Sequence, residues 1–154
     1  GSVYRHFPSK ASLREAVAKR WLDRVDEPLR KIAAETGPAP ERLDRWLRAL
    51  FQAKHSRVCD DPEMFQTYLT LAREACATVR AHKEGLVDQV AGILTDGVKQ
   101  GVFAITDAKE TAKAIFDATS RYHHPAHAME WKDADLPARI DALLALLLRG
   151  LKAG

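Results

Sequence analysis

The chain has 154 residues and a formal net charge of +3, with 46% hydrophobic and 29% charged residues. This length suits one compact domain of about 100 to 200 residues with a substantial core, which excludes a disordered chain, a collagen-like repeat and a small disulfide-built protein. The longest uninterrupted apolar run, residues 142–148, is far shorter than the roughly 20 residues of a membrane span.

The cysteines point to a cellular compartment. Cys59 and Cys76 lack the C-x-x-C spacing of metal and redox sites, and two thiols in a chain with an ample core fit a reducing environment. No basic, apolar and small-residue series resembling a signal peptide opens the sequence. We therefore predict reduced thiols in a soluble, cytoplasmic protein that makes no membrane contact.

The positive charge lies at the start of the chain. Residues 1–24 carry six basic and two acidic side chains, a net charge of +4, while the remaining 130 residues carry −1. A basic end on a neutral body is the electrostatic footprint of a polyanion binder. A solvated helix face has the same composition, so charge alone leaves both interpretations open.

Almost every segment has the three- and four-residue apolar spacing of a helix, and none alternates like a half-buried strand, so the predicted fold is all-α. Pro8 stops a short aromatic segment. Ser9 can then accept from the free amides of a helix that we predict to reach about Glu35, with a kink near Pro28. The breakers at residues 36–40 separate this basic helix from the body.

The body continues with four helices, predicted over about 41–55, from Pro62, over about 77–100 and over about 107–122. Asp107 and Glu110 have the spacing of a capping box, with Asp in place of the usual Ser or Thr. Glycines at 85, 92 and 97 sit inside the helical pattern, and close helix packing explains them.

The last predicted helix, from about Leu136, has an apolar arc about 200° wide, twice what one core-facing stripe requires. Such a helix needs two partners. We interpret one as its own domain. The other is either the helix from Asp107 or, as we predict, the same helix pair of a second subunit, forming a four-helix contact; central burial within one domain is the alternative. The residues predicted at the dimer interface are Phe116, Ile140, Leu143, Leu144, Leu147 and Leu151.

The opening sequence V-Y-R-H-F-P-S-K-A-S-L, with the basic amphipathic helix after it, resembles the TetR family of bacterial transcriptional regulators. In that family a helix-turn-helix ends in a recognition helix that closes with an aromatic-x-His-Phe stretch, followed by a lysine at the start of the fourth helix. The residues that carry the resemblance are Val3, Tyr4, His6, Phe7, Ser9, Lys10 and Leu13.

This resemblance implies an all-α body of five or six helices whose last two pair the subunits. It divides the chain into the end of a helix-turn-helix domain (1–8), a linking helix (9–36) and a ligand-binding and dimerisation domain (37–154). A helix-turn-helix reader needs further helices before the recognition helix, so about 40 residues are expected ahead of this sequence. The chain by itself is therefore not expected to bind an operator.

The resemblance also implies roles for residues near the front. Tyr4, His6 and Lys10 are expected to contact phosphate oxygens, which sets register without reading sequence, and Ser2 is expected to face the groove. For Tyr4, a ring that packs in the core with a wet hydroxyl is the alternative.

Two clusters in the body are candidates for ligand chemistry. Trp46, Phe65, Tyr68 and His82 are predicted to line a mostly apolar effector pocket, with a plain core as the alternative. A second cluster combines two imidazoles and a carboxylate at three-residue steps, which suits Zn²⁺ or Ni²⁺; its residues are His124, His127 and Glu130. Pro125 disfavours that arrangement, and the alternatives are the rim of an effector pocket or a hydrogen-bonded helix junction.

The main functional hypothesis is a homodimeric DNA-binding regulator, expected to be a repressor, that a partly apolar small-molecule effector releases from operator DNA. No nucleophile elbow, P-loop or glycine-rich dinucleotide turn occurs, so we expect neither catalysis nor a cofactor. The alternatives are a metal-binding helical protein built on His124, His127 and Glu130, and a helical dimerisation module without a ligand.

Overall fold

In a computed structural model, residues 9–74 and 77–154 are described, without the side chain of Ala72. They form six α-helices and one 3₁₀ helix: α1 (Lys10–Ala34), α2 (Ala39–Asp60), α3 (Pro62–Arg73), α4 (Ala77–Lys99), α5 (Ala108–His123), the 3₁₀ helix (Pro125–Lys132) and α6 (Leu136–Leu151). The only β-type pairing among these residues is one isolated bridge, so the predicted all-α fold is confirmed. No helix in the described part of the chain has the length and hydropathy to cross a membrane.

Local hydrogen bonds start two helices where the sequence predicts them. Ser9 caps α1, because its Oγ accepts from the backbone N–H of Ser12 at 3.1 Å. Asp107 caps α5 by accepting from the N–H of Glu110 at 3.0 Å. The Glu110 carboxylate accepts instead from Lys113 at 2.7 Å. The Asp107 half of the predicted capping box is therefore present, whereas the Glu110 side chain forms an ion pair.

The predicted bounds of α2 need correction. α2 runs from Ala39 to Asp60 and is longer at both ends than the predicted 41–55. Its start includes Pro40 because the first turn of a helix needs no intrahelical donor, and it continues until Pro62 begins α3. α1 passes through Pro28 as one continuous helix.

The main core lies where α2 and α4 pack between α1 and α5. Trp46 of α2 is fully buried at its centre. Its indole N–H donates to Gln89 of α4 at 2.9 Å, and its ring meets the edge of Phe116 of α5 at a centroid distance of 5.9 Å. The indole hydrogen bond removes the penalty of burying that polar group.

A smaller apolar cluster joins the first half of α1 to α3. Trp21 of α1 packs against Tyr68 of α3 with ring centroids 5.3 Å apart, and Leu22 and Phe65 complete the cluster. α1 is therefore packed against the other helices at Trp21 and Leu22 as well as along its second half, where Val25 and Leu29 enter the main core.

Close packing explains only one of the three glycines inside α4. The ring of Phe103 lies directly on Gly97, where any Cβ would overlap it, whereas Gly85 and Gly92 face open space. The chain returns to this point because Gly101 adopts a left-handed φ of 74°, and the amides of Val102 and Phe103 both donate to the Gly97 carbonyl.

Candidate functional site

A cavity of about 450 Å³ lies between α2, α3, α4 and α5. Its volume falls in the range of small-molecule sites. Apolar walls come from Val79, Leu86, Phe116 and Pro125. The polar and charged groups that line it are Lys54, Tyr68, His82, Lys83, Asp117, Ser120, His123 and His124.

Lys54 places a buried cation in the wall of this cavity. Its side chain leaves α2 on the apolar face, and the residue is only 5% exposed. The ammonium Nζ lies 2.9 Å from Nε2 of His82 and 5.1 Å from the centroid of the Tyr68 ring, a cation–π contact. Burial lowers the pKa of Lys54 to about 8, so the charged form predominates at pH 7.

His82 connects this lysine to α1. An ammonium only donates hydrogen bonds, so Nε2 of His82 accepts and the ring proton is placed on Nδ1. That Nδ1 lies 3.1 Å from Oδ1 of Asp26 on α1, at hydrogen-bond distance but poorly aligned. Burial, followed by the charge of Lys54, lowers the pKa of His82, which keeps the ring neutral. A contiguous contact thus runs from the cavity to α1.

Two other polar groups of the cavity are neutral. Burial raises the pKa of Tyr68 to about 12, so it remains a phenol. Burial also lowers the pKa of His123 to about 3. Nε2 of His123 lies 3.2 Å from the Phe116 carbonyl, so this nitrogen donates and the other ring nitrogen is an acceptor.

The structure brings together two of the four residues predicted to line a pocket. Tyr68 and His82 line the cavity, whereas Trp46 belongs to the main core and Phe65 to the smaller cluster between α1 and α3. Sequence reasoning missed Lys54. A usable pattern was present, because Lys54 follows Leu50 and Phe51 at the four- and three-residue spacing of the buried face of α2.

The residues of the candidate metal cluster make hydrogen bonds within a helix junction, and His124 also lines the cavity. His124 caps the 3₁₀ helix by accepting from the amide of Ala126 at 3.1 Å. His127 lies 3.2 Å from Glu130, whose carboxylate also accepts from Arg121 at 3.1 Å. In the described part of the chain, no three His, Cys, Asp or Glu side chains are grouped as metal ligands.

The residues predicted at the dimer interface differ in their burial within the single chain. Phe116, Leu144 and Leu151 are buried inside the single chain. Three others are partly buried against the core: Ile140, Leu143 and Leu147. Leu146, on the flank of the apolar arc, is 60% exposed.

The predicted DNA contacts fall mostly outside the described residues, as Ser2, Tyr4 and His6 do; Val3, Phe7 and Cys76 lie outside them too. Lys10 is described and is exposed in the first turn of α1. Six further basic residues on α1 are exposed: Arg14, Lys19, Arg20, Arg24, Arg30 and Lys31.

The chain is similar to known proteins both in sequence and in fold. Residues 39–144 match the family model described as tetracyclin repressor-like, C-terminal domain. Among solved structures, the chain is similar to a TetR-family transcriptional regulator from Agrobacterium tumefaciens, with a TM-score of 0.66 and 24% sequence identity over 99% of this chain and 80% of that one. At this identity the likeness concerns the fold. No curated protein matches the chain.

Proposed function

Because the chain belongs to the TetR family through its tetracyclin repressor-like C-terminal domain, we propose that it is the effector-binding and dimerising part of a DNA-binding transcriptional repressor. Residues 37–154 form the effector and dimer domain in this proposal, 9–36 form the linking helix, and 1–8 close the DNA-binding head. Effector binding in the cavity releases the protein from its operator.

The observation that carries the proposal is the contact from Lys54 through His82 to Asp26. It joins the cavity wall to α1, the helix that leads to the head. On the side of its ring away from the cavity, His82 borders a surface depression that Asp26 also lines. The His82 ring therefore lies between the cavity and α1. An effector that shifts Lys54 or His82 therefore changes the position of α1. A coupling of about 1 to 3 kcal/mol lowers operator affinity roughly 5- to 150-fold.

Dimerisation is proposed through α6. Leu146 is exposed, and Leu143 and Leu147 beside it are only partly buried, so α6 retains an apolar edge after its own core has formed. Paired with a second copy, this edge would be buried symmetrically. A dimer holds two recognition helices about 34 to 36 Å apart, the separation of successive major grooves.

DNA contact is proposed through the basic start of the chain. Lys10 lies at the N-terminus of α1, where free backbone amides and the helix dipole favour a phosphate. Tyr4 and His6 are proposed to contact phosphate beside it, and Ser2 to face the groove. These contacts set the position of the head without reading the bases.

The proposal is tested on the full-length protein. Duplexes recovered from a randomised DNA pool supply the operator, and its affinity is measured at fixed salt with and without ligands that occupy the cavity. Sequence-selective binding that weakens at least 5-fold with ligand is expected. A protein that enriches no sequence from the pool would refute the regulatory function.

Asp26→Asn tests the coupling itself. We expect this variant to bind ligand and operator separately, but to lose most of the ligand effect on operator affinity, because an amide no longer holds the charge-assisted contact with His82. Glu27→Gln is the matched control, since within the described part of the chain Glu27 pairs only with exposed Lys31, at 3.7 Å. A full ligand response in Asp26→Asn would show that coupling takes another route.

A further inference from the structure

Lys54 has more hydrogen-bonding capacity than the protein satisfies. Its ammonium has three N–H donors, and among the described residues its one hydrogen-bond partner is Nε2 of His82. The Tyr68 ring offers a cation–π contact but no acceptor at that distance. Two donors on a side chain that is 5% exposed and lines the cavity therefore have no hydrogen-bond partner among the described residues.

Asp26 does not complete the charge pairing of Lys54. Its carboxylate lies against Nδ1 of His82, on the opposite side of the imidazole ring from the ammonium. It borders the outer depression, and it is not part of the cavity lining. A buried charge without a direct counterion is costly unless another group supplies the opposite charge.

The other residues that line the cavity indicate the chemical character of the rest of the ligand. Val79, Leu86 and Phe116 give apolar surface, while Asp117 and Lys83 are exposed side chains of opposite sign. Tyr68 and His123 are neutral groups. One buried cation beside an apolar wall matches a molecule with one negative charge and a hydrophobic body.

We propose that the effector is an organic monoanion, a carboxylate on a hydrophobic framework, whose oxygens accept from the two free donors of Lys54. This inference rests on the proposed effector cavity and names the chemical class that it binds. The bound carboxylate supplies the missing counterion of Lys54. Because Lys54 also contacts His82, the residue that recognises the ligand is the one that couples binding to α1.

The test uses arylcarboxylates of increasing size, from benzoate through 2-naphthoate to biphenyl-4-carboxylate, each with its primary amide. Acid and amide share a shape and differ in charge. Affinities are measured by calorimetry at pH 7 on the full-length protein. At least one acid is expected to bind, with its amide about 10- to 100-fold weaker, the range of a hydrogen bond to a charged group.

Two variants assign the preference to Lys54. Lys54→Met removes the charge at similar length, and Lys54→Gln also removes it while keeping an N–H for His82, in case the first variant folds poorly. Both are expected to bind acid and amide equally. Lys99→Met is the control, since it removes an exposed lysine from α4 outside the cavity and should keep the full preference.

Equal binding of acid and amide by the unaltered protein would overturn the inference, as would an acid preference that survives in both Lys54 variants or disappears in Lys99→Met. Binding of none of the acids would overturn it as well. Operator affinity is measured on the same preparations. Intact operator binding without acid binding refutes only the ligand class, whereas absent DNA selectivity refutes the regulatory function and leaves an acid result standing.

Discussion

Replacing Lys54 with methionine should change how the stability of the protein depends on pH. In the folded protein, burial lowers the pKa of Lys54 from 10.5 to about 8. In the unfolded chain the amine is solvated and takes its ordinary value. The gap between these two values corresponds to about 3 kcal/mol of destabilisation from the charged, buried form.

The sign follows from proton counting. Between about pH 8 and 10.5 the unfolded chain holds the Lys54 proton and the folded protein has released it, so this residue makes stability rise with pH. Below pH 8 both states are protonated and the full penalty applies. Lys54→Met lacks this contribution. Its stability relative to the original protein should therefore fall by about 3 kcal/mol between pH 7 and pH 10.5.

Urea unfolding at several pH values and one protein concentration measures this difference, because concentration affects the stability of a dimer. The quantity to compare is the change with pH. Loss of the Lys54 bond leaves His82 without its donor and adds an offset that does not vary over this pH range. Lys99→Met, which removes an exposed lysine, is measured alongside as the control. A Lys54→Met difference that stays constant from pH 7 to 10.5 would refute the account of a buried, charged lysine.

Two further predictions concern packing and assembly. Gly97→Ala should lower stability by about 1 to 3 kcal/mol, since its Cβ would overlap the Phe103 ring, while Gly92→Ala should be neutral or stabilising by up to about 1 kcal/mol because its Cβ meets open space. Leu146→Glu should produce monomers in sedimentation, whereas Met129→Glu, at a residue 92% exposed on the 3₁₀ helix, should leave the dimer intact.

Denaturation curves decide the glycine pair, and equal losses for both alanine variants would contradict the packing argument. For assembly, burying Leu146 twice across a symmetric contact contributes about 2 to 4 kcal/mol, and the introduced carboxylates would repel. A Leu146→Glu protein that remains dimeric would place the interface away from this edge of α6.

Helix starts were predictable wherever one short-range hydrogen bond decides them. Ser9 and Asp107 each cap the helix that follows by accepting a backbone amide three residues on, and such bonds depend only on neighbours in the chain. The end of α2 was less predictable, because the sequence between residues 55 and 62 contains no proline or glycine to mark where the helix stops.

The candidate site was predictable only in part. Apolar spacing correctly placed Tyr68 and His82 on inward faces, but an aromatic on such a face lines a core or a cavity according to what packs opposite it. Trp46 packs against the edge of Phe116 in the main core, and Phe65 packs in the smaller cluster between α1 and α3. Lys54 lies on a buried helix face, yet its chemistry emerged only from its neighbours on α3 and α4.

The sequence by itself determined the helical class, the capped starts and the family resemblance carried by its first residues, since these depend on periodicity and on short-range order. Tertiary structure alone decided which faces meet. It buried Leu144 within the chain, exposed Leu146, and brought Lys54, His82 and Asp26 together from three helices. The physical reason is that contacts between distant segments depend on how helices cross and pack, which no local pattern of residues specifies.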